Sequence, residues 1–76
     1  MVKFIGNWMF VHRLCNDCKP VPAAINIKEI TDISEYCNTR FGIHVRISLK
    51  NESEISIEGD IIEVLAKFQE HLLSSN

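Results

Sequence analysis

The sequence predicts an α+β fold, in which a small antiparallel β-sheet of four to five short strands carries one C-terminal α-helix on one face. Apolar and polar residues alternate along His44–Lys50, as in a strand with one buried face. Glu54–Glu58 alternates in the same way and supplies a partner strand. Beyond Gly59 the apolar residues change to helical spacing: Ile61, Ile62, Leu65, Phe68 and Leu72. These patterns predict a hairpin followed by a helix that packs on it.

The first third of the chain predicts another hairpin. Asn7–Leu14 is rich in aromatic and branched residues, which favour strands. As a strand, this segment places four side chains on one face: Trp8, Phe10, His12 and Leu14. Pro20 and Pro22 cannot donate to a ladder, so they belong in a loop or an edge strand. We therefore expect the chain to return as a strand over Val21–Ile27.

The middle of the chain predicts a turn and a further strand. Asn26 and Glu29 have the spacing of a capping box, which indicates a turn or a single helical turn at this point. A strand is then expected over Ile30–Tyr36, followed by a turn at Asn38–Gly42.

The second hairpin has a predicted register. Pairing apolar with apolar positions places Leu49 opposite Ile55 and leaves a loop at Asn51–Ser53. In that register two pairs of opposite charges face each other across the strands: Lys50 with Glu54, and Arg46 with Glu58.

The C-terminal helix is expected from about Asp60 to Leu73. Asp60 has the chemistry of an N-cap, with Glu63 in capping-box position. Glu63 and Lys67 have the spacing of an ion pair on the exposed face, and His71 lies in the last turn. We expect the five apolar residues at helical spacing to dock on the sheet.

Length and composition indicate one folded domain spanning residues 1–76. The chain is 46% hydrophobic and 24% charged, which is typical of a globular domain. A domain of this size buries only about 60% of the surface that its unfolded chain exposes. Because the core is thin, we expect the protein to form a homo-oligomer. The net charge of −2 gives no strong field for nucleic acid or for an anionic membrane.

The N-terminal segment and the cysteines predict a cytoplasmic protein without membrane insertion. Asn7, His12 and Arg13 interrupt the apolar stretch at the N-terminus, so it has the pattern of neither a signal peptide nor a membrane span. The chain has three cysteines, Cys15, Cys18 and Cys37. Because this number is odd and no export signal is expected, we expect reduced thiols.

One arrangement of residues could hold a metal. His12, Cys15 and Cys18 form an H-x2-C-x2-C run, and thiolate and imidazole are the usual ligands of zinc. Cys37 or His44 would complete a tetrahedral site, but these two lie across a predicted turn and lack the short spacing of a second ligand pair. The alternative is a hairpin turn with no metal, and this is the interpretation that we adopt.

Binding rather than catalysis is the predicted chemistry. One helix covers one face of the sheet, so aromatic and apolar side chains are candidates for an interface: Trp8, Met9, Phe10 and Phe41. The chain has no P-loop, GxGxxG or GxSxG pattern. We therefore expect no enzymatic activity and no cofactor. The basic residues are scattered singly, which makes base stacking by these aromatic residues the less favoured interpretation.

Several segments in order resemble the small flagellar FlbD-type and swarming-motility SwrD-type proteins and related short bacterial or phage proteins. These segments lie within residues 8–70: Phe10–Leu14, Pro20, Ala24–Asn26, Ile30–Ile33, Val45–Asn51, Ile55–Glu58 and Ile62–Leu65. The chain departs from the family pattern at Glu52, where a glycine is usual. The resemblance implies strands followed by a helix, and a non-enzymatic accessory role.

These observations predict a non-catalytic binding or adaptor module whose partner is another protein or a second copy of the chain. The alternative is a phage-type regulator or anti-defence protein that binds a nucleotide or a nucleic acid. Retention on DNA or RNA that depends on salt would favour this alternative.

Overall fold

A computed structural model describes residues 2–16 and 19–74. It has six strands, all paired antiparallel, and one α-helix. The elements are β1 (Lys3–Ile5), β2 (Trp8–Arg13), β3 (Val21–Asn26), β4 (Ile30–Asn38), β5 (Gly42–Leu49), β6 (Glu54–Ile57) and α1 (Ile61–Ser74). The predicted α+β fold is confirmed. Strand β1 was not expected: Gly6, at φ +58°, forms the turn that returns the chain from β1 into β2.

Strand β2 joins the two parts of the sheet. The strand order is β1-β2-β6-β5-β4, and β3 also pairs with β2. One edge of β2 pairs along its whole length with β3. The other edge is divided: Met9 pairs with Phe4 of β1, and Arg13 pairs with Ile57 of β6. The pairing of Arg13 with Ile57 therefore joins the N-terminal strands β1, β2 and β3 to the C-terminal strands β4, β5 and β6.

A 3-10 turn at Ile27–Glu29 connects β3 to β4. The Asn26 side chain accepts a hydrogen bond from the Lys28 amide at 3.0 Å, so the predicted cap is confirmed. At the next turn the Asn38 side chain accepts from the amides of Arg40 and Phe41, at 3.0 and 2.7 Å. These caps hold β4 between two fixed turns.

The predicted register of the β5–β6 hairpin is wrong by two residues. Ile55 lies opposite Ile47, not opposite Leu49. The loop begins one residue earlier than predicted, because Glu52 adopts a left-handed conformation at φ +68° and the Leu49 amide donates to the Ser53 carbonyl at 2.9 Å. A shift of two residues keeps each side chain on its predicted face.

The predicted charge pairs change with the register. Arg46 and Glu54 form the ion pair of this hairpin, at 3.3 Å. The pairings Lys50 with Glu54 and Arg46 with Glu58 are therefore wrong. Direct partners on the ladder are Arg46 with Ser56, and Ser48 with Glu54, so the Arg46 side chain reaches diagonally across the strands.

The core lies between the inner face of the sheet and α1. Its buried residues are Val2, Met9, Val11, Ile25, Val45, Ile47, Ile57 and Val64. Four of these eight alternate along β2 and β5 with residues of the outer face, as the period of two requires: Met9, Val11, Val45 and Ile47.

The helix begins and is capped as predicted, but the side of the helix that packs on the sheet is not the predicted one. The Glu63 amide donates to the Asp60 carboxylate at 3.1 Å, and Lys67 pairs with Glu63 at 3.2 Å. Val64 is the buried residue of α1. The expectation that all five apolar residues dock is wrong: three of them are exposed, namely Ile62, Leu65 and Leu72. No helix in the described part of the chain is long and apolar enough to cross a bilayer.

Candidate functional site

An aromatic patch lies on the outer face of β1 and β2. It consists of Ile5, Trp8 and Phe10, which we call the sheet patch. Trp8 is 47% exposed and Phe10 is 41% exposed. Ile5 lies directly opposite Trp8 in the β1–β2 ladder, so their side chains share one face. Large apolar side chains grouped on a surface are typical of protein-binding sites.

A shallow groove of about 470 Å³ adjoins the sheet patch. Its walls come from β1, β2 and β3: Lys3, Phe10, Val11, His12, Pro22, Ala23 and Ala24. Ala24 lies opposite Phe10, and Pro22 lies opposite His12. Small side chains on β3 next to large ones on β2 leave a depression that can hold one apolar side chain of a partner.

The predicted interface residues do not all lie together. Met9 is 0% exposed and belongs to the core, because it alternates with Trp8 and Phe10 along β2. Phe41 follows β4 and packs edge-on against His44, with ring centroids 5.5 Å apart. The structure therefore groups Trp8 with Phe10, and adds Ile5 from the unexpected strand β1.

A second apolar surface lies on α1. Four large aliphatic residues are exposed there, and we call them the helix stripe: Ile62, Leu65, Leu72 and Leu73. Strand β1 separates the helix stripe from the sheet patch. The Phe4 ring of β1 stacks on Phe68 of α1, whereas Ile5, the next residue, faces the other side of the sheet with Trp8. The protein thus exposes apolar side chains on two sides.

His44 is the buried polar residue of the outer sheet face, at 3% exposure. The rings of Tyr36 and Phe41 cover it edge-on, with centroids 5.7 and 5.5 Å away. The ring is also hydrogen-bonded at both nitrogens: Nδ1 lies 2.9 Å from the Gly42 carbonyl, and Nε2 lies 3.1 Å from the Ser56 hydroxyl. Sequence analysis placed His44 on the polar side of β5 and gave no signal that aromatic rings would cover it.

The hydrogen bonds of His44 assign its tautomer. A carbonyl only accepts, so Nδ1 carries the hydrogen that is donated to Gly42. In the neutral ring, Nε2 then accepts the hydroxyl hydrogen of Ser56. A serine that donates to a histidine is also the arrangement of an activated nucleophile. Neither His44 nor Ser56 lines the groove beside the sheet patch.

Arg46 completes this cluster next to His44. Its guanidinium lies 3.4 Å from the centroid of the Tyr36 ring, and Nη1 lies 3.3 Å from a Glu54 carboxylate oxygen. Tyr36 therefore contacts both the His44 ring and the Arg46 guanidinium. Through Arg46, the cluster connects a ring of β4 to a carboxylate of β6.

The residues of the alternative metal site are only partly described. Cys18 lies outside the described residues. Cys15 and Cys37 are free thiols, and Cys37 is on β4, which β5 and β6 separate from the strand that carries His12. Among residues 2–16 and 19–74 there is no group of three or more His, Cys, Asp or Glu residues that could hold a metal ion.

Comparison with known proteins gave no relative of this chain: no protein-family model, no curated protein and no solved structure matches it.

Proposed function

We propose that this protein is a non-catalytic, cytoplasmic protein-binding or adaptor module that self-associates. The observation that carries the proposal is the exposure of apolar side chains on two sides of β1, as the sheet patch and the helix stripe. Two such surfaces let one domain hold two proteins at once, which is the physical requirement for an adaptor.

The sheet patch supports binding to another protein. Trp8 and Phe10 are residue types that contribute large contact areas at interfaces. The groove beside Phe10 offers a place for an apolar side chain of the partner. Lys3 lies at this groove and pairs with Phe10 in the β1–β2 ladder, so it places a positive charge at the rim of an apolar surface, as in many protein interfaces.

The enclosure of His44 supports a role without catalysis. A catalytic base needs access to a substrate, whereas Tyr36 and Phe41 cover the His44 ring and leave it 3% exposed. The free thiols Cys15 and Cys37 are compatible with the reducing environment of the cytoplasm.

Site-specific photo-crosslinking in cells tests the proposal. A photoreactive phenylalanine analogue is introduced at Trp8, and the matched control carries it at Ile43, which is also exposed but lies on β5. We expect a discrete crosslinked protein from position 8 and none from position 43. The same products from both positions, or none from either, would overturn the proposal. Crosslinks from position 8 to DNA or RNA, together with retention that depends on salt, would favour the nucleic-acid alternative.

A further inference from the structure

Hydrogen bonds at the end of β5 show which way the backbone of this strand faces. The Leu49 amide donates to the Ser53 carbonyl, so Leu49 faces β6. The next amide, that of Lys50, donates to the carbonyl of Glu29, which directly precedes β4. Lys50 therefore faces the β4 side, and this alternation continues along an antiparallel strand. The residues of β5 whose amides and carbonyls face β4 are every second one: His44, Arg46 and Ser48.

The same alternation assigns the backbone of β4. Ser34 lies opposite Arg46, and Tyr36 lies opposite His44. Because these partners face β4, Ser34 and Tyr36 exchange hydrogen bonds with them. The residues beside these two turn their amides and carbonyls away from β5: Ile33, Glu35 and Cys37. No hydrogen bond among the described residues reaches these outward groups. We call this row, over residues 32–37, the β4 edge.

The β4 edge is more open to another strand than the opposite edge of the sheet, on β3. On β2, the His12 carbonyl accepts from the Glu58 amide of the β6 side, so Pro22, the partner of His12 on β3, faces outward. Pro22 has no amide hydrogen, which blunts that edge. Strand β4 has nine residues and contains neither proline nor lysine. A bulge between Ile30 and Asp32 limits its regular edge to residues 32–37.

Two carboxylates determine which strand the β4 edge can accept. Asp32 and Glu35 are both exposed, and neither forms an ion pair with the described residues. They point to opposite faces of the sheet because they are three residues apart. A second copy of β4 would place its own two carboxylates beside them with no cation between, and like charges across a ladder are destabilising. A strand with lysine or arginine opposite Asp32 and Glu35 would be attracted at both positions.

From this geometry we infer that the β4 edge binds an extended, basic segment of a partner protein, which adds a strand to the sheet. In this kind of recognition main-chain hydrogen bonds supply the attraction, and side chains at alternate positions supply the selectivity. Because Ile33 packs against the core, β4 is already extended before the partner binds, which lowers the entropic cost. The inference goes beyond the proposed function, since it involves neither the sheet patch nor the helix stripe.

The capped peptide TVTKTVKT has the chemistry that this edge requires. Aligned antiparallel with its first lysine opposite Glu35, it places its second lysine opposite Asp32. Its two valines then lie opposite Ile33 and Cys37. The amides of both valines and of the first lysine face β4 in this alignment, and the alternate amides face away. The matched control peptide TVTETVET replaces both lysines by glutamates.

Hydrogen exchange measured by NMR on the whole chain tests the β4 edge with and without the peptide. In the free protein the amides of Ile33, Glu35 and Cys37 should exchange at least about 10-fold faster than those of Ser34 and Tyr36. TVTKTVKT should slow the three fast amides, and TVTETVET should bind at least about 10-fold more weakly. Equal protection of all five amides in the free protein would show that the edge is already covered and would overturn the inference. Failure of TVTKTVKT to bind, or resonance shifts that map away from β4, would also overturn it.

N-methylation of the peptide separates strand pairing from other kinds of docking. Methyl groups on the amides of both valines and of the first lysine remove the hydrogens that face β4, so binding should weaken by at least about 10-fold. Methyl groups on the alternate amides face away from β4 and should weaken binding much less. Equal weakening by the two sets would show that the peptide does not bind as a strand, which would overturn the inference.

Charge reversal in the protein tests the selectivity. Glu35→Lys should weaken the binding of TVTKTVKT by about 10-fold. Glu70→Lys is the matched control, because Glu70 is also exposed but lies on α1, and it should leave binding unchanged. Equal weakening by both variants would assign the effect to net charge and overturn the choice of a basic partner.

These experiments are independent of the proposed function. The photo-crosslinking position Trp8 lies on β2, and β4 itself separates an added strand from the control position Ile43. Failure of the peptide to bind would therefore leave crosslinks from position 8 in place. Absence of those crosslinks would leave peptide binding at the β4 edge in place.

Discussion

The rings of Phe4 and Phe68 stack with their centroids 5.4 Å apart and their planes at 28°. Phe4 belongs to β1, the shortest strand, and Phe68 lies in the middle of α1. This pair attaches the helix to the sheet at a point far from its N-terminal cap. Ile62, Leu65 and Leu72 are exposed, so the helix docks through other residues, among them Phe68, the buried Val64 and Ile61, which packs against the core.

Phe68→Ala should therefore loosen the helix more than any single change in the helix stripe. We expect the free energy of unfolding to fall by about 2 kcal/mol, since a half-buried aromatic ring and its stacking are lost. Leu65→Ala is the matched control, and in dilute solution it should change stability by less than about 0.5 kcal/mol because Leu65 is exposed. Urea denaturation measures both. Equal losses would mean that α1 docks through the helix stripe in solution.

The sequence predicted the parts of this fold that depend on local patterns. Alternation located β5 and β6, residue types located β2, and turn residues located β3 and β4, while the capping chemistry of Asp60 located the start of α1 within one residue. The faces of β5 were also predictable, since Val45 and Ile47 are buried. These features follow from period and cap chemistry, which are encoded within a few residues.

What the sequence did not predict depends on contacts between distant residues or on backbone conformation. The side of α1 that docks packs in part on Phe4, in a strand that was not expected. The β5–β6 register depends on the left-handed conformation of Glu52, a residue type that does not favour it. The burial of His44 requires Tyr36 and Phe41 to fold over it, and alternation alone assigns this position to the exposed face.

Glu52→Gly should stabilise the protein. Glu52 has φ +68° in the hairpin loop, a conformation that costs a residue with a side chain about 1 kcal/mol or more. Glycine adopts it freely, so we expect the free energy of unfolding to rise by about 0.5 to 1 kcal/mol after the added entropy of the unfolded chain is subtracted. Glu52→Ala removes the same charge without relieving the backbone and should give no gain. A gain of equal size in both variants would assign the effect to the carboxylate instead.

We expect the purified protein to contain no stoichiometric zinc. Cys37 lies on β4, and two strands, β5 and β6, separate β4 from β2, where His12 is located, so these residues do not converge as the ligands of a tetrahedral site must. The melting temperature should be the same with and without EDTA, and Cys15→Ser should not make it sensitive to chelation. Elemental analysis that finds one zinc per chain, with a melting temperature that falls on chelation, would contradict this prediction.

Ser56→Ala should destabilise the outer sheet face through His44. The hydroxyl of Ser56 is the hydrogen-bond partner of His44 Nε2 at 3.1 Å, and the histidine is buried. Its removal leaves a buried ring nitrogen unsatisfied, which costs about 1 to 3 kcal/mol. Ser48→Ala is the control, because Ser48 is half-buried on the same face of β5 and its hydroxyl makes no hydrogen bond with the described residues. We expect thermal denaturation to show a loss for Ser56→Ala and little change for Ser48→Ala.

Gly59 connects β6 to α1 at a position that no other residue fits well. Its φ is +146°, and a Cβ atom there would lie 3.3 Å from Val64 Cγ2. Val64 is in the core, so it cannot move aside freely. Gly59→Ala should therefore combine backbone strain with a close contact and lower the free energy of unfolding by about 2 kcal/mol or more.

Gly42→Ala separates these two contributions. Gly42 also has a positive φ, +68°, but a Cβ atom there would meet nothing within 4 Å, so strain alone should cost about 1 kcal/mol. Combining Gly59→Ala with Val64→Ala then tests the contact directly. We expect the double variant to be more stable than the sum of the two single losses predicts, because the smaller side chain leaves room for the new Cβ atom. Losses that simply add would show that the contact with Val64 does not contribute and that backbone conformation alone requires a glycine between β6 and α1.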